Sequence, residues 1–457
     1  MLQNIPKLDL LLKRESLAEI PPKLRAKLAR EEVEALRQKA IANEAVEADF
    51  EIAVIAAKIA EKFAKFRDPA LKPLINATGV AIHTNLGRSP ISPEIYREIE
   101  PVITGYSNLE FNEKSGKRGD RYARLEDLLK NALGFEAAIA VNNNAAAVFL
   151  VLNTFARDRE AIVSRGELVE IGGSFRIPEV MRLSGAILRE VGASNKTRLS
   201  DYENAICEKT ALLMKVHKSN FATIGFTSEV EYAELSRLAV GRGLIDYYDL
   251  GSGQLAEFEF KGEPLLTEIA RFAPSLVSFS GDKLFGGSQA GIICGKKPLI
   301  DALKRNQLFR MLRVGKFTIA VLEATLRRYI LGLEGEIAGV NIFRADAAKL
   351  LCRAQKLAAL IGDFPREIRE TENFAGGGSM PCTAIKGVAL VFDFGDENSE
   401  ILQTKLREKG VIARVEDRKL FVETRAIFDR DLEKLAGILR EVLAEVAPRG
   451  AARGNSQ

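Results

Sequence analysis

Short apolar segments alternate with helix-like segments from residue 137 to residue 294, and this alternation constrains the fold more than any other feature. Each apolar segment has the length and composition of a buried strand. The predicted strands are residues 137–141, 161–164, 186–191, 212–216, 244–249, 276–280 and 291–294. Strands separated by helices form a mostly parallel sheet that helices cover on both faces. Ligands of such sheets bind beyond the carboxyl ends of the strands.

Lys283 follows the predicted strand 276–280, in a segment crowded with Gly and Ser that reads SGDKLFGGSQAG at 280–291. Small residues there let the backbone approach a ligand closely. A partly desolvated Lys has a lowered pKa, and its free amine is a nucleophile that forms a Schiff base with an aldehyde. The alternative is an ordinary Lys at the junction of a strand and a loop, and this segment alone does not decide between the two.

Two other strand ends carry groups of complementary chemistry. Asn142, Asn143 and Asn144 follow the strand 137–141 and precede an Ala-rich, helix-forming segment. The start of a helix offers free N–H groups and a positive dipole to a phosphate, although Asn is also an ordinary helix cap. Asp249 ends the strand 244–249, and a carboxylate there can pair with a protonated ring nitrogen.

Pyridoxal 5'-phosphate (PLP) carries all three groups that these residues would bind: a phosphate, a ring nitrogen and an aldehyde. A phosphate-binding helix, then an Asp, then a Ser three residues before the Lys is also the chain order of the aspartate-aminotransferase type of fold. The sequence therefore predicts an α/β PLP-dependent enzyme. The cofactor-binding residues predicted on these grounds are Asn143, Asn144, Ala145, Asp249, Ser280 and Lys283.

Three Arg residues are candidates for an anion pocket beside the cofactor. Arg88 lies in a loop-like segment, HTNLGR at 83–88, and its guanidinium offers a fork of donors. Arg310 and Arg313 are three residues apart, and so share one face if that segment is helical. The alternatives are a surface Arg in a turn and a solvated basic face.

The rest of the chain predicts a division into domains. Residues 1–70 have apolar residues at helical spacing and form a small helical domain, with an oligomerisation or packing arm as the alternative. Residues 71–330 form the PLP-binding domain, residues 331–447 a small α+β domain, and residues 448–457 a disordered tail. Neither a membrane span of ~20 apolar residues nor a signal peptide is visible, so the expected location is the cytoplasm.

Composition limits the other classes of function. The four Cys are scattered and predict neither a disulfide framework nor a metal site. A net charge of +4 is too small to indicate nucleic-acid binding by itself.

Six motifs resemble those of bacterial selenocysteine synthases, the L-seryl-tRNA(Sec) selenium transferases. They are NATGV at 76–80, HTNLGR at 83–88, VNNNAAA at 141–147, SRGELVEIGG at 164–173, DLGSG at 249–253 and SGDKLFGGSQAG at 280–291. The opening residues IPKLDLLL at 5–12 also resemble the family, so the resemblance spans the chain. Phe285 and Ser288 depart from it, because Leu and Pro are common there.

The resemblance implies a fold-type-I enzyme with PLP on Lys283. Such an enzyme converts L-seryl-tRNA(Sec) to L-selenocysteinyl-tRNA(Sec) through an aminoacrylyl-tRNA intermediate, with selenophosphate as the selenium donor. The N-terminal domain is expected to hold the tRNA, and homodimers are expected to assemble into a decamer. The implied roles are catalysis by Lys283, Asp249 and Asp282, a ring contact from His217, loop ordering by His83, and selenophosphate binding by Arg88, Arg310 and Arg313.

Two alternatives stay open on the sequence. One is a PLP-dependent β-eliminating lyase that acts on a free small amino acid, and such an enzyme is expected to lack the helical N-terminal region. The other is a tRNA-binding protein without catalysis, which the presence of both Lys283 and Asp249 argues against.

Overall fold

The chain consists of two compact units, Met1–Pro73 and Leu74–Gln457. A computed structural model describes residues 2–446 except 169, 172–174, 220, 222, 261–262 and 377–378. The tail predicted at 448–457 lies outside the described residues. Within the described part of the chain, no helix is long and apolar enough to cross a bilayer.

The first unit is helical, as predicted. Its α-helices are Leu8–Leu12, Pro22–Ile41 and Ile52–Arg67. Apolar side chains from all three helices, among them Leu11, Leu28 and Ile59, form one core. The guanidinium of Arg25 donates hydrogen bonds to the carbonyl oxygens of Leu12, Ala18 and Ile20. These bonds satisfy carbonyl groups at the end of the first helix and in the connection to the second, where the carbonyl groups have no partner within a helix.

The larger sheet of the second unit contains all the strands predicted between residues 137 and 294. Within the described residues it has seven strands, in the spatial order Ala137–Val141, Gly291–Gly295, Leu276–Ser280, Ile245–Gly251, Thr210–Val216, Glu160–Ser164 and Ile187–Val191. Neighbouring strands are parallel, except that Gly291–Gly295 is antiparallel to both of its neighbours. The prediction of a mostly parallel sheet is confirmed.

Helices cover both faces of this sheet. Alternate residues of a strand face opposite sides, and accordingly Ile139 packs into one core while Ala138 and Ala140 pack into the other. The helix Asn144–Phe155 belongs to the first core, and Lys316–Ile330 belongs to the second. The helices of this region are Pro93–Thr104, Ala123–Leu133, Asn144–Phe155, Ile177–Ser184, Leu199–Ala205, Tyr232–Gly241, Leu266–Ala270, Lys297–Arg305, Gln307–Met311 and Lys316–Ile330.

A smaller sheet combines a segment before the large sheet with segments after it. Its strands are, in spatial order, Ile75–Ala77, Val411–Glu416, Lys419–Glu423, Ser379–Phe392 and Glu367–Gly376. Ile75–Ala77 pairs in parallel with Val411–Glu416, and the other pairs are antiparallel. The helices Ala338–Arg344, Ala347–Ile361, Asp396–Glu408 and Leu432–Val446 accompany it. The domain boundaries proposed at residues 70, 330 and 447 stay predictions.

Two short ribbons complete the described strands. Phe111–Asn112 pairs with Lys117–Arg118, and Glu170–Ile171 pairs with Phe175–Arg176.

Candidate active site

A cleft of about 230 Å³ lies where several strands of the large sheet end. Its lining contains every residue that was predicted to bind the cofactor, namely Asn143, Asn144, Ala145, His217, Asp249, Ser280 and Lys283. Arg88 and Asp282 line the same cleft. Residues separated by almost two hundred positions in the chain therefore meet in one place, as the rule for ligand sites of parallel sheets predicts.

Lys283 is buried in a tightly folded loop, with 6% of its surface exposed. The amide of Gly287 donates to the Gly281 carbonyl oxygen at 2.8 Å, and the amide of Gly286 donates to that of Lys283 at 3.0 Å. Gly286 has a φ of +79°, and a Cβ there would lie 2.6 Å from a methyl group of Ile337, so the turn requires glycine. Burial lowers the pKa of the Lys283 amine, and the charge of Glu263 is the strongest opposing influence. Burial therefore favours the free amine that a nucleophile needs.

Asp249 lies on the strand next to the one that leads to Lys283, opposite Ser278. Its carboxylate is buried and accepts a hydrogen bond of 2.7 Å from Nδ2 of Asn144. Burial raises the pKa of Asp249 to about 6, although the bond from Asn144 and the charge of Lys283 both act to lower it. The positive charge of a protonated PLP ring nitrogen would balance the negative charge of this carboxylate.

The helix Asn144–Phe155 begins at the cleft. Asn143 is its N-cap, and the side chain of Asn143 accepts a hydrogen bond of 2.8 Å from the Ala146 amide. The interpretation of Asn143 as an ordinary cap is thus correct for its side chain. The first amides of a helix still have no acceptor within the helix, and Asn144 and Ala145 line the cleft. Capping and anion binding are compatible here.

The close passage of Gly291 beneath this helix start gives a test of the phosphate site. A Cβ at position 291 would lie 2.1 Å from the Asn143 carbonyl oxygen, so Gly291→Ala must displace the first turn of the helix. We expect this variant to bind PLP roughly tenfold more weakly, because a small misplacement of binding groups is costly. Absorbance titration of the cofactor measures the affinity. Gly241→Ala, where a Cβ meets nothing within 4 Å, is the control; equal weakening in both variants would contradict the assignment.

The two His residues differ in their relation to the cleft. His217 lines it, and its backbone amide donates to the Asp249 carbonyl oxygen at 2.8 Å. Burial and the charge of Lys215 lower the pKa of His217 to about 4, so its imidazole is neutral at neutral pH. His83 supports the Arg88 loop through its backbone, because its carbonyl oxygen accepts from the Arg88 amide at 3.1 Å.

Arg88 and Asp282 form an ion pair at the cleft. Nη1 of Arg88 lies 2.9 Å from Oδ2 of Asp282, and the Ser89 amide donates to the Asp282 carbonyl oxygen at 3.1 Å. The backbone of Arg88 has a φ of 62°, which is uncommon for a residue other than glycine. Asp282 thus fixes the guanidinium beside Lys283, while about a third of the Arg88 side chain stays exposed.

Arg310 and Arg313 do not line the cleft formed by Arg88 and Lys283. The helix Gln307–Met311 ends between them, so they do not share a helix face. Arg310 is exposed, and Nη1 of Arg313 lies 3.7 Å from Oε1 of Glu110. A role for these two residues in anion binding stays a prediction.

Three polar residues near the cleft were not predicted from the sequence. Ser219 and Gln289 line it. Each lies within six residues of a predicted site residue, His217 and Lys283 respectively. Glu263 is buried near the cleft, with Oε1 at 3.9 Å from Nε2 of His217. The available signal for Ser219 was its position two residues after His217, and for Gln289 its position inside the motif at 280–291. Glu263 belongs to no motif.

The chemistry of the cleft fits PLP. Helix amides, a buried carboxylate and a buried amine are three different groups, and they suit the phosphate, the ring nitrogen and the aldehyde respectively. Oδ1 of Asn144 is buried at the same place without a hydrogen-bond partner among the described residues. Such orphaned polar atoms are uncommon in folded proteins, and they are expected where a ligand belongs.

A solved structure supports the fold class. That of a D-glucosaminate-6-phosphate ammonia-lyase matches with a TM-score of 0.61 at 20% identity, and the match covers 84% of this chain and 99% of that one. The likeness concerns the fold, and it agrees with the mostly parallel sheet described above. The predicted fold type I is confirmed.

Comparison of the sequence with known proteins extends the likeness to both units. The profile of the family described as "SelA: L-seryl-tRNA selenium transferase" matches residues 74–428. A protein of Wolinella succinogenes named L-seryl-tRNA(Sec) selenium transferase is 49% identical over 441 residues, which are 96% of this chain and 99% of the relative. One of the same name from Campylobacter concisus is 49% identical over 446 residues, covering 96% and 98%. The chain therefore belongs to the L-seryl-tRNA selenium transferase family.

Proposed function

We propose that this protein is a PLP-dependent L-seryl-tRNA(Sec) selenium transferase, which converts L-seryl-tRNA(Sec) to L-selenocysteinyl-tRNA(Sec) with selenophosphate as the selenium donor. The observation that carries the proposal is the meeting of Lys283, Asp249 and the start of the helix Asn144–Phe155 in one cleft. The relatives that bear this name cover nearly the whole chain, including its helical first unit. This coverage favours the transferase over a lyase that acts on a free amino acid.

The residues that would hold the cofactor follow from the geometry of the cleft. The amides at Asn144 and Ala145 suit the phosphate, Asp249 suits the ring nitrogen, and Lys283 suits the aldehyde. His217 and Ser280 line the same cleft. When bound, PLP supplies an aldehyde for amines and a protonated ring that withdraws electrons from the α-carbon of an amino acid.

Lys283 and Asp249 have different tasks: Lys283 transfers a proton, and Asp249 stabilises a positive charge. The Lys283 amine, once free, accepts the α-proton of the seryl group at its Nζ atom and can return it later. Asp249 stays negative and holds a positive charge at the ring nitrogen, because a buried carboxylate is stabilised by a buried cation. Asn144 fixes the direction of this carboxylate through its bond of 2.7 Å.

Arg88 would bind the anionic selenium donor. Its guanidinium has five N–H donors, and the ion pair with Asp282 uses Nη1. Asp282 therefore holds Arg88 in position, and the other N–H groups of the guanidinium do not bond Asp282. In this proposal Arg310 and Arg313 add to the anion site only if the assembled protein brings them near Arg88.

The proposal includes partners of the whole protein. The first unit would hold the tRNA, the chains would assemble as homodimers into a decamer, and the enzyme would act in the cytoplasm. These assignments come from the resemblance of the sequence to its family. A compact helical unit that precedes the cofactor-binding sheet is consistent with a separate task for residues 1–73.

A single-turnover assay tests the proposed reaction. Protein loaded with PLP is mixed in excess with L-seryl-tRNA(Sec) and selenophosphate, and the aminoacyl group is identified by mass spectrometry after release from the tRNA. We expect selenocysteinyl-tRNA(Sec) to form. Seryl-tRNA(Ser) should give no product under the same conditions.

Free L-serine in the same assay distinguishes the alternative. A lyase that acts on free amino acids would release pyruvate from L-serine and leave seryl-tRNA(Sec) unchanged. That outcome with folded, PLP-loaded protein would contradict the transferase assignment.

A further inference from the structure

The motif SRGELVEIGG at 164–173 has no task in the function proposed above, although it contains a buried acid, Glu167. Glu167 ends the short helical turn Arg165–Glu167, which follows the strand Glu160–Ser164. Only 1% of its surface is exposed. A buried carboxylate is stable where other groups supply hydrogen bonds and a positive charge. The groups that bond Glu167 therefore indicate its task.

Glu167 has two partners at the end of the neighbouring strand, Thr210–Val216. Its Oε2 atom accepts a hydrogen bond of 2.9 Å from the backbone amide of Val216. Its Oε1 atom lies 3.1 Å from Nζ of Lys215, which is also buried. The same ammonium donates to the Val230 carbonyl oxygen at 2.8 Å. The charge of Glu167 is thus balanced, and both of its oxygen atoms are bonded to one strand end.

The bond to Val216 extends the hydrogen bonding of the large sheet past the end of the strand Glu160–Ser164. The last described backbone pair between the two strands joins Val163 and Met214. Beyond that pair, the side chain of Glu167 supplies the acceptor for the Val216 amide. A buried amide without an acceptor is costly. Glu167 therefore holds this strand end in the sheet.

The strand end that Glu167 holds forms part of the cleft. Val216, His217 and Ser219 all line it. The amide of His217 donates to the Asp249 carbonyl oxygen, on the other neighbouring strand, at 2.8 Å. Two successive amides are therefore bonded to opposite sides, one to Glu167 and the next to Asp249. Together these bonds fix the backbone that carries the His217 imidazole.

We propose that Glu167 is a positioning residue for His217. Through the Val216 amide it holds the strand end, and it thereby keeps the His217 imidazole placed against PLP in the cleft. Lys215 supplies the counter-charge that lets a carboxylate serve as this buried acceptor. The inference rests on the proposed function, because it takes PLP as the occupant of the cleft. It predicts that the acceptor at position 167, and not the ion pair itself, governs cofactor binding.

Two double variants separate the acceptor from the ion pair. Both carry Lys215→Met, which removes the ammonium. Glu167→Gln keeps an oxygen atom that can accept from the Val216 amide, whereas Glu167→Leu has none. Both double variants should fold, because neutral groups often replace a buried ion pair without loss of stability. Urea unfolding without PLP checks this, and Glu167→Met replaces Glu167→Leu with the same expectation if the latter does not fold.

The first readout is the affinity of the full-length protein for PLP, measured by absorbance titration. The Glu167→Gln double variant should bind PLP within about threefold of the original protein, because the amide keeps an acceptor. The Glu167→Leu double variant should bind PLP roughly tenfold more weakly, because a small displacement of binding groups is costly. Equal affinities of the two double variants, whether high or low, would overturn the proposal.

The second readout follows His217 itself. The chain has two His residues, so mass spectrometry can quantify modification of His217 by diethyl pyrocarbonate with His83 as the internal reference. At neutral pH and without PLP, the labelling rate of His217 should rise about threefold or more in the Glu167→Leu double variant, because a released strand end opens more often. It should not change in the Glu167→Gln double variant. A His217 rate that is equal in both would overturn the positioning role, even if their stabilities differed. The labelling requires neither PLP nor tRNA, so failure of the transferase assay leaves this readout unaffected.

Discussion

Lys283→Ala is expected to reduce the single-turnover rate of selenocysteinyl-tRNA(Sec) formation by on the order of a thousandfold or more, because it removes both the nucleophile and the proton acceptor. Lys283 is the one Lys among the described residues that line the cleft, so no second side-chain amine is placed there to replace it. Burial also predicts that folding is preserved, because removing a buried ionisable group relieves its desolvation. The melting temperature should therefore not fall with the rate.

The specificity of this loss can be checked in two ways. Lys297→Ala removes an exposed Lys that pairs with Asp301 at the start of a helix, and it should retain the full rate. Small primary amines added to Lys283→Ala should restore part of the activity, since they can occupy the space that the side chain leaves. Retention of more than about a tenth of the rate by Lys283→Ala would contradict the assigned role.

Most of the large sheet was predictable because its strands, except the partly exposed edge strand Ile187–Val191, are buried on both faces. A strand of this kind appears in the sequence as a continuous apolar run, and the ends of all the predicted runs agree with the structure within two residues. Because helical segments connect these runs, the strands are expected to lie parallel in the sheet. The antiparallel position of Gly291–Gly295 was not predicted, because an apolar run does not encode the direction of its neighbours.

No strand was predicted at Ile75–Ala77 or at Glu367–Gly376 of the smaller sheet, for a different reason. Ile75–Ala77 has three residues, one of them Asn76, and gives no periodic signal. Glu367–Gly376 alternates charged and apolar residues, and most of its first half is exposed at the edge of the sheet. Ile75–Ala77 pairs with residues more than 300 positions further along the chain, and Glu367–Gly376 pairs with the strand that follows it. Local patterns of hydrophobicity do not report such pairing.

Those site residues were predictable that belong to a short motif of recognisable chemistry and lie at a strand end, because the sheet brings the strand ends together. Asn144, Asp249 and Lys283 each follow or end a strand, and parallel strands end at the same edge. The direction of Arg313 toward Glu110 is a matter of side-chain packing that residue spacing does not determine. Glu263 was missed because an acid between a Gly and a Pro resembles a solvent-exposed loop residue.

Asp249→Asn is expected to lower the rate of the proposed reaction by on the order of a hundredfold or more, since a neutral amide cannot hold a positive charge on the ring nitrogen. The Asn144 side chain can still donate to the new amide oxygen, so the cleft should keep its shape. Single-turnover assays at saturating PLP separate this loss from weakened cofactor binding. A rate within about threefold of the original protein would remove Asp249 from the mechanism.

The same substitution should stabilise the protein when PLP is absent. Burial raises the pKa of Asp249 from 3.8 to about 6, so the folded state binds more protons than the unfolded state between these values. Stability consequently falls as the pH rises through this window, and the penalty persists above it. At about 1.4 kcal/mol per pKa unit, Asp249→Asn should gain roughly 3 kcal/mol at pH 7.5 and about half of that at pH 5.

Asp246 on the same strand provides the opposite case. Its carboxylate is fully buried but accepts hydrogen bonds from the Tyr232 hydroxyl and from the amide and hydroxyl of Ser275. Asp246→Asn replaces an acceptor oxygen by an NH₂ donor in this network, and it should cost roughly 1–3 kcal/mol at either pH. Urea unfolding of both variants without PLP measures the difference. Equal destabilisation by the two substitutions would show that Asp249 is a structural acid like Asp246. A buried carboxylate that is reserved for a cationic ligand lowers the free energy of unfolding of the PLP-free protein, whereas a carboxylate that is satisfied by hydrogen bonds raises it.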